Sequence, residues 1–85
     1  MIYVYAIQSI KDGRIYVGMT ADIAKRIQQH NNGLTFSTRL FAPWKLIHSE
    51  SFPDRITARK REKYLKSGVG KEFLKSIVIV NNTNS

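Results

Sequence analysis

The chain of 85 residues has room for one small hydrophobic core and excludes a second domain. It contains two histidines and no cysteine. The absence of cysteine excludes disulfides and thiolate zinc sites and is typical of proteins in a reducing compartment. Fourteen Lys and Arg residues against six Asp and Glu residues give a formal net charge of +8, which favours nucleic acid as the partner and an acidic lipid surface far less.

The first predicted element is a hairpin. Residues 2–8 are aromatic or β-branched at almost every position, a pattern typical of a central strand covered on both faces. Asp12-Gly13 supplies a dipeptide favoured in tight turns with positive φ, and residues 15–18 are predicted to be the returning strand. We therefore expect an antiparallel hairpin.

A first helix is predicted over residues 21–31. Thr20 can cap its N-terminus, with Asp22 in the first turn, and Gly33 can end it. Its apolar stripe consists of Ile23, Ala24 and Ile27. Residues 33–43 show no sustained period and end at a proline, which favours a loop.

A third strand and two further helices follow. Residues 44–51 alternate between apolar and polar side chains and are predicted to join the hairpin as a strand. Asp54 begins a second helix that ends at Ser67-Gly68, and a third helix is predicted over residues 70–77. The side chains expected to face the core are Ile56, Ala58, Leu65, Phe73, Leu74 and Ile77.

The order β-β-α-β-α-α predicts an α+β fold with a three-stranded antiparallel sheet flanked by helices, in one domain over residues 1–80. Residues 81–85 are polar and are expected to be frayed. No apolar run approaches the roughly 18 residues that a membrane span needs, and the first residues lack the basic segment of a secretion signal. We therefore expect a cytoplasmic protein.

Two tyrosines of the hairpin are the first candidates for chemistry. Tyr5 and Tyr16 point to one face of the sheet if the numbers of paired residues sum to an odd value. A two-residue turn at Asp12-Gly13 separates their pairing levels by about 13 Å, at about 3.3 Å per residue, whereas a longer loop over residues 9–14 brings them closer. Both registers stay open, as does a role for the two rings as core residues with a hydrated hydroxyl.

Arg26 and His30 form the second candidate pair. They are four residues apart and therefore lie on one side of the first helix. A phosphate group would suit them, but a cation and a histidine one turn apart are also ordinary on a solvated helix face. Both interpretations stay open.

Residues 55–75 contain eight Lys and Arg residues, with Glu62 among them. Glu62 either pairs with Lys66 one turn later or holds one divalent cation, which Mg²⁺ allows because it keeps most of its waters. No paired carboxylates, phosphate-binding glycine loop, Ser-His-Asp set or zinc spacing occurs in the sequence, which excludes most hydrolase and kinase classes. The cations predicted to contact DNA are Arg59, Lys60, Lys63, Lys66 and Lys71.

Taken together, these positions resemble a known family. The motifs that resemble those of the GIY-YIG nuclease superfamily are Tyr3-Val4-Tyr5, Tyr16-Val17-Gly18, Arg26, His30 and Glu62. The resemblance runs from about residue 3 to residue 75 and is nearest to the small standalone bacterial members, which are often labelled endonucleases. The same module forms the 3′-incision domain of the excision-repair protein UvrC and the catalytic part of some homing endonucleases.

The resemblance implies a GIY-YIG endonuclease-like fold and a divalent-metal-dependent endonuclease that hydrolyses DNA phosphodiester bonds, with DNA repair among the roles of its relatives. A single Mg²⁺ or Mn²⁺ would be held by Glu62, and Gly18 would lie where a side chain would crowd the site. The catalytic residues that the resemblance implies are Tyr5, Tyr16, Arg26, His30 and Glu62.

Two positions depart from the family pattern, since Tyr3 replaces the first glycine and Met19 stands where some relatives carry a lysine. We expect Tyr5 to act as the general base and Tyr16 to hydrogen-bond the phosphate or the water, with swapped roles as the alternative. A metal ion and basic surroundings are expected to lower the pKa of the base. His30 would relay the proton or hold the phosphate.

Substrate recognition is expected to depend on charge rather than on bases. No base-reading module is evident, which favours weakly sequence-specific or structure-selective cleavage, for example of branched or single-stranded DNA, with RNA as a related polyanion. The alternative is a non-catalytic nucleic-acid-binding module that keeps the nuclease fold. This alternative is suggested by Met19, which stands where some relatives carry a lysine. A third hypothesis, a basic partner for an acidic protein, rests on charge alone.

Overall fold

The computed structural model describes residues 1–83, and the surroundings of side chains for residues 1–79. Its elements are β1 (Ile2–Ser9), β2 (Ile15–Thr20), α1 (Ile23–Asn31), β3 (Trp44–Phe52), α2 (Arg55–Lys66) and α3 (Gly68–Thr83). The strands form an antiparallel sheet in the order β2-β1-β3. The predicted fold, a three-stranded antiparallel sheet flanked by helices in the order β-β-α-β-α-α, is confirmed.

β1 is the central strand, and both of its faces are covered because residues 4–7 are 0 or 1% exposed. The odd-numbered side chains Tyr5 and Ile7 pack with Trp44 and with Ile27 of α1. The even-numbered side chains belong to a second cluster, which contains Val4, Ala6, Val17, Ala58, Leu65 and Leu74. Therefore α1 covers one face of the sheet, while α2 and α3 cover the other.

The β1–β2 hairpin has a loop over residues 10–14 rather than a two-residue turn. Tyr5 pairs with Gly18, and Ile7 pairs with Tyr16. The register is therefore the one with the longer loop, and the two tyrosines stand on one face, two residues apart in pairing level. Because diagonal neighbours on a sheet lie within reach of aromatic side chains, this register brings the two rings close together.

The hydrogen bonds of Ser9 explain why the wider loop forms. Its hydroxyl accepts from the backbone N–H groups of Lys11 at 3.1 Å and Asp12 at 3.2 Å. It also donates to the Phe41 carbonyl at 2.6 Å. The loop then turns at Gly13, whose φ of 83° is easily adopted only by glycine.

Aspartates cap both α1 and α2. Asp22 accepts from the Lys25 N–H at 3.1 Å, so the prediction of Thr20 as the cap is wrong. The Thr20 hydroxyl instead accepts from the Asp22 N–H at 3.1 Å, which orients the true cap. Asp54 accepts from the Thr57 N–H at 2.8 Å, as predicted for the start of α2.

The predicted inward faces of α2 and α3 are correct in part. Ala58, Leu65 and Leu74 are fully buried, and Ile77 packs against them. The prediction for Ile56 is wrong because it lies about 200° around the helix from Ala58 and is 75% exposed. Phe73 stands at the edge of the core with its ring against His48, at 5.4 Å between centroids.

α3 continues beyond the predicted end at residue 77 to Thr83, so it includes part of the expected polar tail. Residues 84 and 85 lie outside the described residues. The predicted loop over residues 33–43 contains a short 3-10 helix, Arg39–Phe41. Within residues 1–83, no helix has both the length and the apolar character needed to cross a membrane.

Candidate active site

The two hairpin tyrosines form the centre of the candidate site. Their ring centroids are 6.4 Å apart, on the face of the sheet that α1 covers. The Tyr5 ring reaches across its partner Gly18, where an added Cβ would lie 2.7 Å from the Tyr5 hydroxyl and 3.1 Å from Cε1 of Tyr16. Glycine at this position therefore leaves the space that the Tyr5 hydroxyl occupies.

Two residues of α1 contact the Tyr5 hydroxyl. His30 Nε2 lies 2.8 Å from it, and Arg26 Nε donates to it at 3.4 Å. Because these residues are one helical turn apart, α1 directs both side chains toward the same atom. The His30 ring also stands 5.2 Å from the Tyr16 ring, edge to face.

The partners of His30 determine the direction of its hydrogen bonds. Its Nδ1 lies 2.7 Å from the Thr38 hydroxyl, which itself donates to the Thr35 carbonyl at 3.5 Å. Since that hydroxyl has one proton to give, we assign Nδ1 of His30 as the donor to Thr38. The other ring nitrogen, Nε2, is then the acceptor for the Tyr5 O–H.

Burial sets the protonation states of this pair. Burial first, and the Arg26 charge second, lower the pKa of His30 from 6.5 to about 4, so the imidazole is neutral at pH 7. Burial also raises the pKa of Tyr5, and this effect exceeds the opposing hydrogen bond from Arg26. In the protein without a metal ion, burial therefore outweighs the hydrogen bond and the charge of Arg26, which act in the expected direction and lower the pKa of Tyr5.

Glu62 approaches from the other helical layer. It lies on α2 and is 8% exposed, with its carboxylate 3.3 Å from Lys66 Nζ and 3.6 Å from Arg59 Nε. Burial and the neighbouring Tyr16 raise the pKa of Tyr5 more than the negative charge of Glu62 does. The structure thus brings Tyr5 into contact with Arg26 and His30, whereas Glu62 makes no hydrogen bond or ion pair with any of these three among the described side chains.

Comparison with known proteins identifies the family. A family profile described as the GIY-YIG catalytic domain matches residues 1–75. The chain belongs to the GIY-YIG family. The resemblance noted from the sequence is thereby confirmed, and membership of this nuclease family implies nucleic acid as the substrate class.

Small bacterial proteins are similar to this GIY-YIG domain over most of their length. A UPF0213 protein of Staphylococcus saprophyticus is 38% identical over 76 residues, covering 88% of this chain and 92% of the relative. One from Clostridium perfringens is 42% identical over 67 residues, covering 78% and 71%. The solution NMR structure of a UPF0213 protein from Bacillus halodurans superposes with a TM-score of 0.53 at 36% identity, covering 91% and 85%.

GIY-YIG nucleases generally depend on a divalent metal ion, and the donor groups of this domain allow one kind of site. Within residues 1–83, no three His, Cys, Asp or Glu groups lie together as metal ligands, so a closed protein cage is excluded there. A single carboxylate fits Mg²⁺, which retains water and takes phosphate oxygens as further ligands. Glu62 is the residue of this GIY-YIG domain that would hold such an ion.

A cationic depression of about 340 Å³ opens between the end of β2, α1 and the start of α2. Arg26 lines it and also contacts the Tyr5 hydroxyl, so this residue connects the buried cluster with solvent. The other side chains at its wall include Met19, Asp22, Lys25, Gln29 and Arg55. Its size and charge suit a phosphate group.

The five cations predicted to contact DNA do not all lie beside this depression. Arg59 and Lys60 line the adjoining groove, and Lys63 and Lys66 are exposed on α2. Lys71 lies apart from them, in a groove between α3 and the hairpin loop.

Three residues of the site were missed by sequence reasoning. Lys25 and Arg55 line the cationic depression, and Thr38 orients His30. Arg55 could have been found, because Arg59 and Glu62 follow it four and seven residues later and therefore lie on the same side of the helix. Thr38 lies in an irregular loop without a periodic pattern, so the sequence offered no signal for it.

Proposed function

We propose that this single domain, over residues 1–80, is a divalent-metal-dependent endonuclease that hydrolyses DNA phosphodiester bonds in the cytoplasm with weak sequence specificity or structure selectivity. The observation that carries the proposal is the Tyr5 hydroxyl, which lies 2.8 Å from Nε2 of the buried His30 and contacts Arg26 at a cationic depression. A phenol beside a histidine that can accept its proton, and beside an arginine that lines a cationic depression, has the parts needed to activate water next to a phosphodiester.

In this proposal Tyr5 is the general base. It takes a proton from the attacking water and passes its own proton to Nε2 of His30, along the hydrogen bond of 2.8 Å. Tyr16, which lies against the same histidine edge to face, hydrogen-bonds the phosphate or the water. The direct contact between Tyr5 and His30 favours this assignment over the one with the two tyrosines exchanged.

Substrate binding would improve His30 as a proton acceptor. The charge of Arg26 is one cause of the low pKa of His30. A phosphate anion bound to Arg26 offsets that charge and raises the pKa of the imidazole. The relay therefore becomes more favourable when the substrate is in place than in the free protein.

Glu62 would hold the Mg²⁺ or Mn²⁺ ion. When bound, the ion neutralises charge on the phosphate and on the leaving 3′-oxygen. Glu62 itself is buried and paired with Lys66 and Arg59, which directs the carboxylate along α2. Arg26 binds the phosphate from the side of α1.

The test is cleavage of plasmid and branched DNA with Mg²⁺ or Mn²⁺. We expect Tyr5→Phe and Glu62→Gln to slow cleavage about 100-fold or more, as loss of general base or metal chemistry does. The matched control is Glu72→Gln, because Glu72 pairs with Lys75 on α3 at 3.5 Å and is well exposed. Its cleavage rate should stay within about twofold of wild type.

Two results would contradict the proposal. One is the absence of cleavage by the wild-type protein with either metal, and the other is full activity of Glu62→Gln. Either result, together with salt-dependent DNA binding that ignores Glu62, would favour the non-catalytic binding module instead.

A further inference from the structure

The loop between α1 and β3 exposes an unusual group of apolar side chains. Leu34, Phe36 and Leu40 are 72, 82 and 69% exposed. Phe36 is the most exposed large hydrophobic residue among those whose side chains are described. Single exposed apolar residues are ordinary on a protein surface, whereas three within residues 34–40 of one loop make that loop a candidate binding surface.

Both ends of this loop are attached to the candidate active site. The Leu34 N–H donates to the Gln29 carbonyl at 3.0 Å, and the Gln29 side chain accepts from Arg26 Nη1 at 3.1 Å. At the other end Thr38 bonds His30. Phe36 is two residues from Thr38, and two residues span about 7 Å at most, so the Phe36 backbone lies close to the residue that bonds His30.

Positive charge surrounds the exposed ring. The Arg39 guanidinium lies 4.8 Å from the centroid of Phe36, a geometry that stacks a cation on an aromatic face. Nearby, Arg14 stacks on Phe41 at 3.5 Å, and Lys11 Nζ donates to the Leu40 carbonyl at 3.4 Å. The loop therefore combines an open aromatic surface with several cations.

An exposed aromatic ring next to cations favours some binding partners over others. A second copy of a chain with a net charge of +8 would be repelled from a patch surrounded by cations. A single-stranded nucleic acid offers both a π-face for the ring and a phosphate backbone for the cations. In a duplex the faces of the bases are stacked on one another, so the ring has no face to contact.

We propose that Phe36, backed by Arg39, is a stacking platform for one unpaired base of single-stranded DNA whose backbone passes Arg26. The platform rests on the proposed nuclease function and narrows its substrate class to DNA with unpaired bases near the cleaved bond. Selectivity for structure then comes from the availability of a base face rather than from hydrogen bonds to base edges.

The test measures binding of a fluorescently labelled single strand and of a duplex of the same sequence in metal-free buffer. We expect Phe36→Ala to weaken single-strand binding about 5- to 100-fold, the effect of losing one stacked base, and to leave duplex binding within about twofold. Phe36→Tyr should restore binding because it keeps the ring. The matched control is Val69→Ala, which removes methyl groups from an exposed residue (67% exposed) on α3.

A second measurement reports stacking directly. In Phe36→Trp the new indole is exposed, while the native Trp44 is 4% exposed, so added single strand should quench the emission of the new residue and duplex should not. Equal loss of single-strand and duplex binding in Phe36→Ala would overturn the proposal. So would unchanged single-strand binding, or a dimer in sedimentation that only Phe36→Ala dissociates.

The two proposals can fail separately. If wild type cleaves DNA and Tyr5→Phe does not, but Phe36→Ala binds single strands normally, the platform is wrong and the nuclease stands. If no metal supports cleavage but Phe36→Ala loses single-strand binding alone, the platform stands on a non-catalytic module.

Discussion

In the proposed reaction the hydroxyl of Tyr5 is the acting atom, and its neighbours act on it in opposite directions. His30 holds its proton, and Arg26 favours its anion. In the free protein burial decides the outcome and keeps the phenol protonated. A bound anion at Arg26 changes this balance, because it alters the field at both Tyr5 and His30.

The buried imidazole makes stability depend on pH. The pKa of His30 is about 4 in the folded protein against 6.5 when unfolded, so the unfolded chain takes up a proton first as pH falls. The contribution of His30 to the free energy of unfolding has its full value above pH 6.5. It decreases toward pH 4, by at most on the order of 3 kcal/mol for this fully buried group. Urea unfolding of wild type and His30→Gln from pH 7 to pH 4.5 measures it.

Between pH 7 and pH 4.5, the effect of His30 on stability can be separated from the effects of the carboxyl groups with shifted pKa values. The carboxyls with lowered pKa values, Asp12, Glu50 and Asp54, start from 3.8 or 4.5, so their contribution is lost only at lower pH. We expect the free energy of unfolding of His30→Gln to change less than that of wild type between pH 7 and pH 4.5. Parallel curves for the two proteins would contradict the assignment of a buried neutral imidazole.

Gly18 is the residue that positions the phenol. In Gly18→Ala the new methyl group meets the Tyr5 hydroxyl and the Tyr16 ring, so the hydroxyl must move away from His30. Displacement of a reacting group by about 1 Å can cost about 100-fold in rate. We therefore expect kcat to fall about 100-fold with little change in KM, measured by single-turnover cleavage.

A control separates crowding from a general loss of helix or strand stability. Gly68→Ala adds a methyl group at a position with nothing within 4 Å, and it should leave kcat unchanged. If Gly18→Ala cleaved as fast as Gly68→Ala, the hydroxyl of Tyr5 would not be the acting group.

At the scale of elements, α2, which carries Glu62, packs directly against α3. An added Cβ on Gly70 would overlap the Tyr64 carbonyl oxygen and the Leu65 Cα of α2, so the two helix backbones are in contact there. We expect Gly70→Ala to destabilise the fold by about 3 kcal/mol or more, since rigid backbone must move. Urea unfolding measures the change.

Gly68→Ala is again the matched control, two residues earlier on the same helix. It should be neutral or slightly stabilising, because alanine has the higher helix propensity and the position is open. Equal midpoints for the two variants would show that the helices can separate without cost.

The elements themselves could be predicted from local signals. The β-branched and aromatic run at residues 2–8 and the cap at Asp54 indicated a buried strand and a helix start, and both are present. The cap of α1 was misassigned to Thr20 because two capping residues follow each other closely there. The side chain that bonds an N–H three residues ahead, Asp22, is the one that ends up as the cap.

The hairpin register could not be predicted, because its cause lies far away in the chain. The Ser9 hydroxyl that holds the loop open is itself fixed by the Phe41 carbonyl, and no local pattern at residues 9–14 reveals that contact. The position of Glu62 relative to Tyr5 depends on the packing of α2 on the sheet, which is again non-local. The role of Thr38 could not be predicted either, because its contact with His30 is also non-local.

On the scale of the molecule, two of the grooves that cations line differ in their relation to the Tyr5 hydroxyl. One is the depression beside Arg26, with Lys25 and Arg55. The other, of about 460 Å³, lies between the hairpin loop and α3 and contains Lys71 among its cations. Because Arg26 of the first also contacts the Tyr5 hydroxyl, the proposed reaction requires the phosphate there, whereas cations elsewhere strengthen the general field.

The salt dependence of DNA binding distinguishes a local contact from the general field. Arg55→Gln removes a cation from the depression, and Lys45→Gln removes one from β3, at the sheet edge opposite β2. Both variants lower the net charge equally. If Arg55 binds one phosphate, the slope of log K against log salt falls by about 0.9 for duplex DNA, while Lys45→Gln leaves it nearly unchanged. Equal slopes for the two variants would mean that DNA responds to total charge and that the depression holds no phosphate.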